Sequence, residues 1–231
     1  MKKITLFIML LMTSSLAVAQ QSTTNSIFID QVGDGSNITI IQKGQTNKIG
    51  SEQARVVIEG NNQTLDVKQE GNNNTIQGSI LQADNANMDV TVTGDNNTLT
   101  YDEGDSGSVA GSTKILAVTG DSNSMTFNQG TAASATGATQ NIAVTGDTNI
   151  YTSTINADDV VNEVTVAGSG NTIALTQDGT AGKNIEMILT GGTNNVTVNQ
   201  KSTTNVDTLK INSTSTGSTL VINQCNAGGP C

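Results

Sequence analysis

Histidine and tryptophan are absent from the 231 residues, and proline occurs once. Without histidine, every Ser-His and Cys-His nucleophile is excluded. With a single proline, almost every residue keeps the backbone N–H that a sheet ladder uses. Aromatic residues make up only 2% of the chain and the two cysteines both stand at its very end, at 225 and 231. Positive charge is scarce as well, with 10 Lys and Arg against 20 Asp and Glu. No basic stripe exists to neutralise phosphates, so nucleic acid is not an expected partner. A chain this rich in Asn, Thr, Ser and Gly would suit a disordered segment on composition alone. Its periodicity argues otherwise, because a disordered chain has no reason to keep one.

The first residues read as a secretory signal peptide over 1–19. Lys2 and Lys3 supply the basic start, Ile4 to Met12 the apolar segment, and Ala17-Val18-Ala19 the small-residue cleavage signal. No cysteine follows the cut, which argues against a lipoprotein, and no later stretch reaches membrane-span length. Removing Lys2 and Lys3 leaves eight basic residues against 20 acids, a charge of −12 that favours solubility of an exported chain. The expected organisation is a short polar lead at 20–26, repeats over 27–224 and a Cys-flanked tail at 225–231.

The repeat is plainest around Gly120. Val118, Met125 and Phe127 alternate with polar residues on either side of a Gly-Asp-Ser-Asn turn, which reads as strand, turn, strand. Equivalent glycines fall at Gly33, Gly60, Gly94, Gly146, Gly168 and Gly191, with Ser215 as a degenerate member. That spacing predicts an all-β solenoid of about eight strand-turn-strand repeats. Three residues after the glycine stands Ser36, Gln63, Asn97, Asn123, Asn149, Asn171, Asn194 or Ser218. Five and seven residues after it come apolar pairs, such as Ile173 with Leu175 and Val196 with Val198. Nine residues after it comes glutamine at Gln42, Gln69, Gln129, Gln177, Gln200 and Gln224, a series broken by Glu103 and Ile155. Each glycine is expected to supply the positive φ of a tight reversal. Aliphatics facing inward would build the core, and an amide repeated in every rung would form a ladder that fixes register.

A finer period runs through the first repeats, where Gln31, Gln42 and Gln53 are eleven residues apart. One rung would therefore hold two strands and two turns. Residues 42–53 read Gln42-x-Gly44-x-x-Asn47-x-Ile49-x-x-x-Gln53, and the form returns as Gln69-x-Gly71-x-x-Asn74-x-Ile76. These residues resemble the curlin repeat, Ser-x5-Gln-x-Gly-x-x-Asn-x-Ala-x3-Gln, of the subunits of bacterial curli-type amyloid fibres. Later repeats keep the glycine, the asparagine and the second glutamine, and replace the first glutamine by Val92, Val118, Val144, Val166 and Leu189. The resemblance implies a secreted fibre subunit of the extracellular matrix, serving adhesion and biofilm formation. It implies self-polymerisation, related subunits, and an outer-membrane secretion and nucleation system as partners.

Three further chemistries are weighed on the residues. Asp95, Asp121 and Asp147 stand in successive turns and invite a calcium site, but calcium-binding β-rolls space their aspartates differently. Ordinary turn residues are expected there, with no metal and no cofactor. Asp102-Glu103 and Asp158-Asp159 are adjacent pairs that a strand points to opposite faces, so neither is poised for glycosidase chemistry and no enzyme is expected. Cys225 and Cys231 enclose a Gly-Gly-Pro stretch that suits a small intramolecular disulfide cap in an oxidising compartment. Crosslinking between chains is an alternative; metal binding by two thiols without histidine is a poor one. The competing reading of the whole chain is a monomeric β-solenoid adhesin or ice-binding protein. Thr91, Thr93, Thr98 and Thr100 suggest a threonine face, though no uniform Thr-x-Thr ladder runs through every repeat.

Overall fold

The computed structural model describes residues 17–20, 25–80, 85–103, 111, 113–130, 137, 139–157, 160–179, 182–203, 207–214 and 217–225. Among them there are strands and no helix. In chain order the strands are β1 (Ala17–Gln20), β2 (Ser26–Ile27), β3 (Ile29–Gln31), β4 (Asn37–Gln42), β5 (Lys48–Ile49), β6 (Val56–Ile58) and β7 (Thr64–Val67). Then come β8 (Thr75–Ile80), β9 (Asn87–Asp89), β10 (Thr98–Glu103), β11 (Thr113–Ile115), β12 (Ser124–Gln129), β13 (Thr139–Ile142) and β14 (Ile150–Ala157). The last six are β15 (Val161–Thr165), β16 (Thr172–Gly179), β17 (Lys183–Ile188), β18 (Asn195–Lys201), β19 (Asp207–Asn212) and β20 (Thr219–Cys225).

They form two parallel sheets. Sheet I runs β1-β4-β7-β9-β11-β13-β15-β17-β19; sheet II runs β2-β5-β8-β10-β12-β14-β16-β18-β20, with β3 and β6 paired beside its early strands. The chain alternates between the sheets and advances one strand each time, a β-solenoid of about seven turns, close to the eight repeats expected. Because side chains alternate along a strand, every second residue points into the space between the sheets. The inward residues stack in columns. In sheet II one column runs Ile27, Ile49, Ile76, Leu99, Met125, Tyr151, Ile173, Val196, Leu220. Opposite it in sheet I, Ile142, Val164, Met187 and Ile211 stack in the same way. Nearly all are buried in one continuous core. Each fully buried large aliphatic contributes about 1.5–3 kcal/mol, and Phe127 adds a ring contact with Tyr151 at 5.2 Å between centroids.

The two connecting edges differ. Passing from sheet I to sheet II, the chain makes a three-residue bend that opens at Gly44, Gly71, Gly94, Gly120, Gly146, Gly168 and Gly191. Those seven glycines lie in one column, and a Cβ built on any of the first six would stand under 3.0 Å from backbone of the next. The expectation that this glycine carries the positive φ is therefore corrected. The left-handed residue is the third of the bend, Thr46, Asn73, Asn96, Ser122, Thr148, Gly170 and Thr193, mostly near φ 57°. Glycine is required at the first place because neighbouring rungs bring backbone against backbone.

Gly33 and Gly60 are a second correction. They follow β3 and β6 of sheet II and lead into β4 and β7 of sheet I, so they belong to the opposite edge, half a rung from Gly120. Nothing lies within 4 Å of a Cβ at Gly60, and the nearest atom to one at Gly33 is 3.6 Å away. The two places occupied by Gly44 and Gly71 are the true equivalents. Asn25 and β2, part of the expected polar lead, already occupy rung positions. Asp158, Asp159 and Ser215 fall outside the described residues.

Candidate functional site

An asparagine ladder runs just inside the tight edge. Asn47, Asn74, Asn97, Asn123, Asn149, Asn171 and Asn194 are all buried. Each side-chain Oδ1 accepts the backbone N–H of the next asparagine, at 2.9 Å from Asn97 to Asn74 and 3.0 Å from Asn171 to Asn149. From Asn97 onward the next side-chain Nδ2 donates to the same oxygen, at 3.0 Å from Asn123 to Asn97 and 3.2 Å from Asn194 to Asn171. The backbone share was not anticipated, and it ties the ladder to main-chain register. Asn25 adds an eighth member, its Oδ1 accepting from the Asn47 N–H at 3.0 Å. The ladder stops at Asn194, whose Oδ1 is buried without a hydrogen bond; the next rung offers Ser218 in that position.

The glutamines form two shorter columns. Gln69 Nε2 donates to Gln42 Oε1 at 2.9 Å in sheet I, and Val92 takes the next place. In sheet II, Gln177 Nε2 donates to Gln200 Oε1 at 3.0 Å, and Gln200 Nε2 to Gln224 Oε1 at 2.8 Å. Gln129 shares that second column, but Ile155 separates it from Gln177. It accepts instead from Gln140 across the interior, at 2.8 Å. Asn162 and Tyr151 bridge the sheets one rung on, at 3.4 Å. Burial pushes the Tyr151 phenol well above its ordinary range, partly offset by the hydrogen bond from Asn162.

Gln31 and Gln53 stand outside the ladders. Gln31 Nε2 turns to the Gly33 carbonyl at 2.6 Å, leaving its Oε1 buried without a hydrogen bond. Gln53 is exposed on the excursion 51–55. Gly50, at φ 65°, turns the chain outward after Ile49, and Val56 re-enters beside Phe28, its N–H on the Phe28 carbonyl at 2.9 Å. The eleven-residue count from Gln42 runs into this loop and loses its structural meaning.

On the outer rim of the tight edge a second set of rung-to-rung bonds repeats. The N–H of Asn72 donates to Asp95 Oδ1 at 2.6 Å, that of Asp95 to Asp121 Oδ1 at 2.7 Å and that of Asp121 to Asp147 Oδ1 at 2.8 Å. These carboxylates are turn-to-turn acceptors. Among the described residues no cluster of three His, Cys, Asp or Glu could hold a metal ion. Glu70, one place before Gly71, bonds Lys68 at 2.8 Å and Lys43 at 2.9 Å, and these two ammonium groups bring its carboxyl down to about 2. Lys183 was missed in the sequence. It is fully buried, donates to the Ser202 carbonyl at 3.1 Å and lies 3.4 Å from Asp207. An acid one rung period later, at 207, was the signal available. Cys225 is disulfide-bonded, and Cys231 lies outside the described residues.

The terminal rungs share their columns. Ile27, Ile29 and Gln31 of the first rung occupy the same inward positions as Leu220, Ile222 and Gln224 of the last. All six are half-buried, and the four aliphatics pack against the core from its two ends. Among the described residues no helix is long and apolar enough to cross a membrane. Comparison with known protein families, with curated proteins and with solved structures finds no match for this chain.

Proposed function

We propose that this chain is an exported structural subunit that polymerises end to end into a curli-like amyloid fibre of the extracellular matrix, serving adhesion and biofilm formation. The observation that carries the reading is the match between the terminal rungs. A second copy placed on β20 would set its Ile27 on Leu220, its Ile29 on Ile222 and its Gln31 on Gln224. Gln31 Oε1, buried and unbonded, is the acceptor that the Gln177-Gln200-Gln224 ladder would meet next. Open parallel edges with matching ladder chemistry are templates for strand addition.

In sheet I the place beside β4 is held by β1, which spans the expected cut between Ala19 and Gln20. Cleavage would clear that edge, and the junction would leave one strand position of sheet I for residues outside the repeats. The proposal includes passage through the periplasm, related subunits and an outer-membrane secretion and nucleation system. It includes no enzymatic step, no cofactor, no membrane span and no nucleic acid.

The test is a thioflavin-T time course on residues 20–231, with fibre diffraction of the product. A lag, seeded growth and spacings of about 4.8 and 10 Å are expected. Replacing Ile222 by Lys should abolish growth from seeds while leaving the monomer folded. A β-rich monomer that does not grow over days, with or without seeds, would overturn the reading.

A further inference from the structure

The two outer faces of the solenoid are chemically unlike. On sheet I one outward column carries Asp66, Asp89, Glu163 and Glu186 and ends at Lys210, which pairs with Glu186 at 2.8 Å. On sheet II the outward column from Thr75 to Thr219 and the one from Gln77 to Val221 hold no charged side chain over seven rungs. Threonine fills eight of the 14 places, among them Thr98, Thr100, Thr126, Thr152, Thr172 and Thr197, each a methyl and a hydroxyl on a strand-spaced grid. Ile150 and Val221 stand on it 49% and 61% exposed. In a chain of net charge −10, two adjacent uncharged columns this long contrast with the acidic column of sheet I.

We infer that the outer face of sheet II is a docking surface for the same face of a second copy. Charge favours the pairing: sheet I against sheet I would oppose its acidic columns, whereas sheet II against sheet II brings together mainly hydroxyls, amides and methyls, with Asp102 the one carboxylate in the third outward column. Size permits it. Seven rungs about 4.8 Å apart, spanning five residues of strand at about 3.3 Å each, cover roughly 600 Å² per copy and about 1,200 Å² in all. That lies within the range of specific interfaces. β-Branched side chains on facing sheets interdigitate as in dry sheet-to-sheet contacts, about 10 Å apart. The pairing is lateral, so it stands apart from end-to-end growth and thickens a fibre rather than lengthening it.

The experiment compares the chain with Thr126→Lys/Thr152→Lys and, as an independent pair, Thr98→Lys/Thr172→Lys. All four side chains point outward, and circular dichroism checks that the fold is kept. Asn141→Lys, on the outer face of sheet I, is the control. Sedimentation of the soluble chain and the width of any fibres are read together with the thioflavin-T growth rate. Dimers and double-width fibres are expected from the wild type and the control; both lysine pairs should lower the dimer fraction at least tenfold and give single-width fibres at an unchanged growth rate. Should end-to-end growth fail altogether, the sedimentation arm still reads the face. A wild type that is monomeric and single-width, or lysine pairs that leave dimer and width unchanged, would overturn the inference. A monomer that slows ice growth, with the effect lost in both lysine pairs, would also overturn it and assign the face to a crystal surface.

Discussion

Along one edge of the solenoid, nine residues separate the facing core columns in every rung: Ile40 from Ile49, Ile142 from Tyr151, Ile211 from Leu220. Along the other, the count runs from 13, between Tyr151 and Val164, to 18, between Ile49 and Val67. The constant edge holds the glycine column, the asparagine ladder and the aspartate rim. The variable edge holds Ser36 with Gln63 and the excursion at 51–55. Where rungs touch backbone to backbone, no length change can be absorbed without breaking contact with both neighbours. Where the chain bulges into solvent, extra residues cost only closure entropy. Register is thus written on one edge, and length variation is confined to the other.

The sharpest way to break that comparison is a single methyl. Gly120→Ala places a Cβ against the Gly146 carbonyl, and neither main chain can retreat without disturbing the rungs beyond it. A loss of about 3 kcal/mol is expected, read as a fall in the denaturation midpoint. The same change at Gly60, with open space and no positive φ, should be neutral or stabilise by about 0.5 kcal/mol. Equal effects at the two sites would remove the distinction between the edges.

Next in size are the ladders. Asn123→Ala removes two bonds accepted from Asn149, at 2.9 and 3.0 Å, and strands the Asn149 amide in the interior. About 2–3 kcal/mol is expected, against about 1 kcal/mol for Ser36→Ala, which loses one bond to Gln63 on the variable edge. Chemical denaturation of both variants would show whether the ladder or the hydrophobic columns dominate.

Much of this arrangement was legible in the sequence because both ladders are spelled by the same residue at the same offset. Asn97, Asn123, Asn149, Asn171 and Asn194 needed only counting. The half-rung error at Gly33 and Gly60 has a physical origin. Gly60-Asn-Asn-Gln63 on the variable edge reads much like Gly71-Asn-Asn-Asn74 on the constant one, and only contacts between rungs tell them apart. Interior bridges such as Gln129 with Gln140 depend on facing columns from different sheets, which spacing alone does not align. The complementarity of Ile27 and Leu220 was similarly hidden, because it follows from tracing each column through every pairing.

A smaller effect sits on the rim of the constant edge. Glu70 is partly exposed, and its two lysine partners bring its carboxyl from 4.5 to about 2. Because the folded value is the lower one, its contribution is present above pH 4.5 and is lost as pH falls through about 2. The stability gap between the wild type and Glu70→Gln, measured by urea titration at pH 6, should narrow between those limits. A gap independent of pH would mean that Glu70 acts by packing alone. Solvent screening keeps the whole effect below that of the buried ladder.

The smallest change is expected where the variable edge is already interrupted. Two residues inserted after Gln53 extend a loop that leaves the stack at Gly50 and returns at Val56, with both ends fixed by bonds to other rungs: Gly50 N–H to the Ile76 carbonyl and Val56 N–H to that of Phe28. Neither bond involves the loop tip, so the cost is the added closure entropy plus the exposed Ser51–Ala54 turn bonds, about 1 kcal/mol in all. The same insertion after Asp121 would move Asn123 out of line with both Asn97 and Asn149 and shift every side chain of β12 relative to its neighbours. That variant should fail to complete the stack, visible as loss of β-type circular dichroism and rapid proteolysis near residue 120. If both insertions were tolerated alike, the nine-residue span would be a by-product of sequence duplication, and register would reside in the hydrophobic columns by themselves.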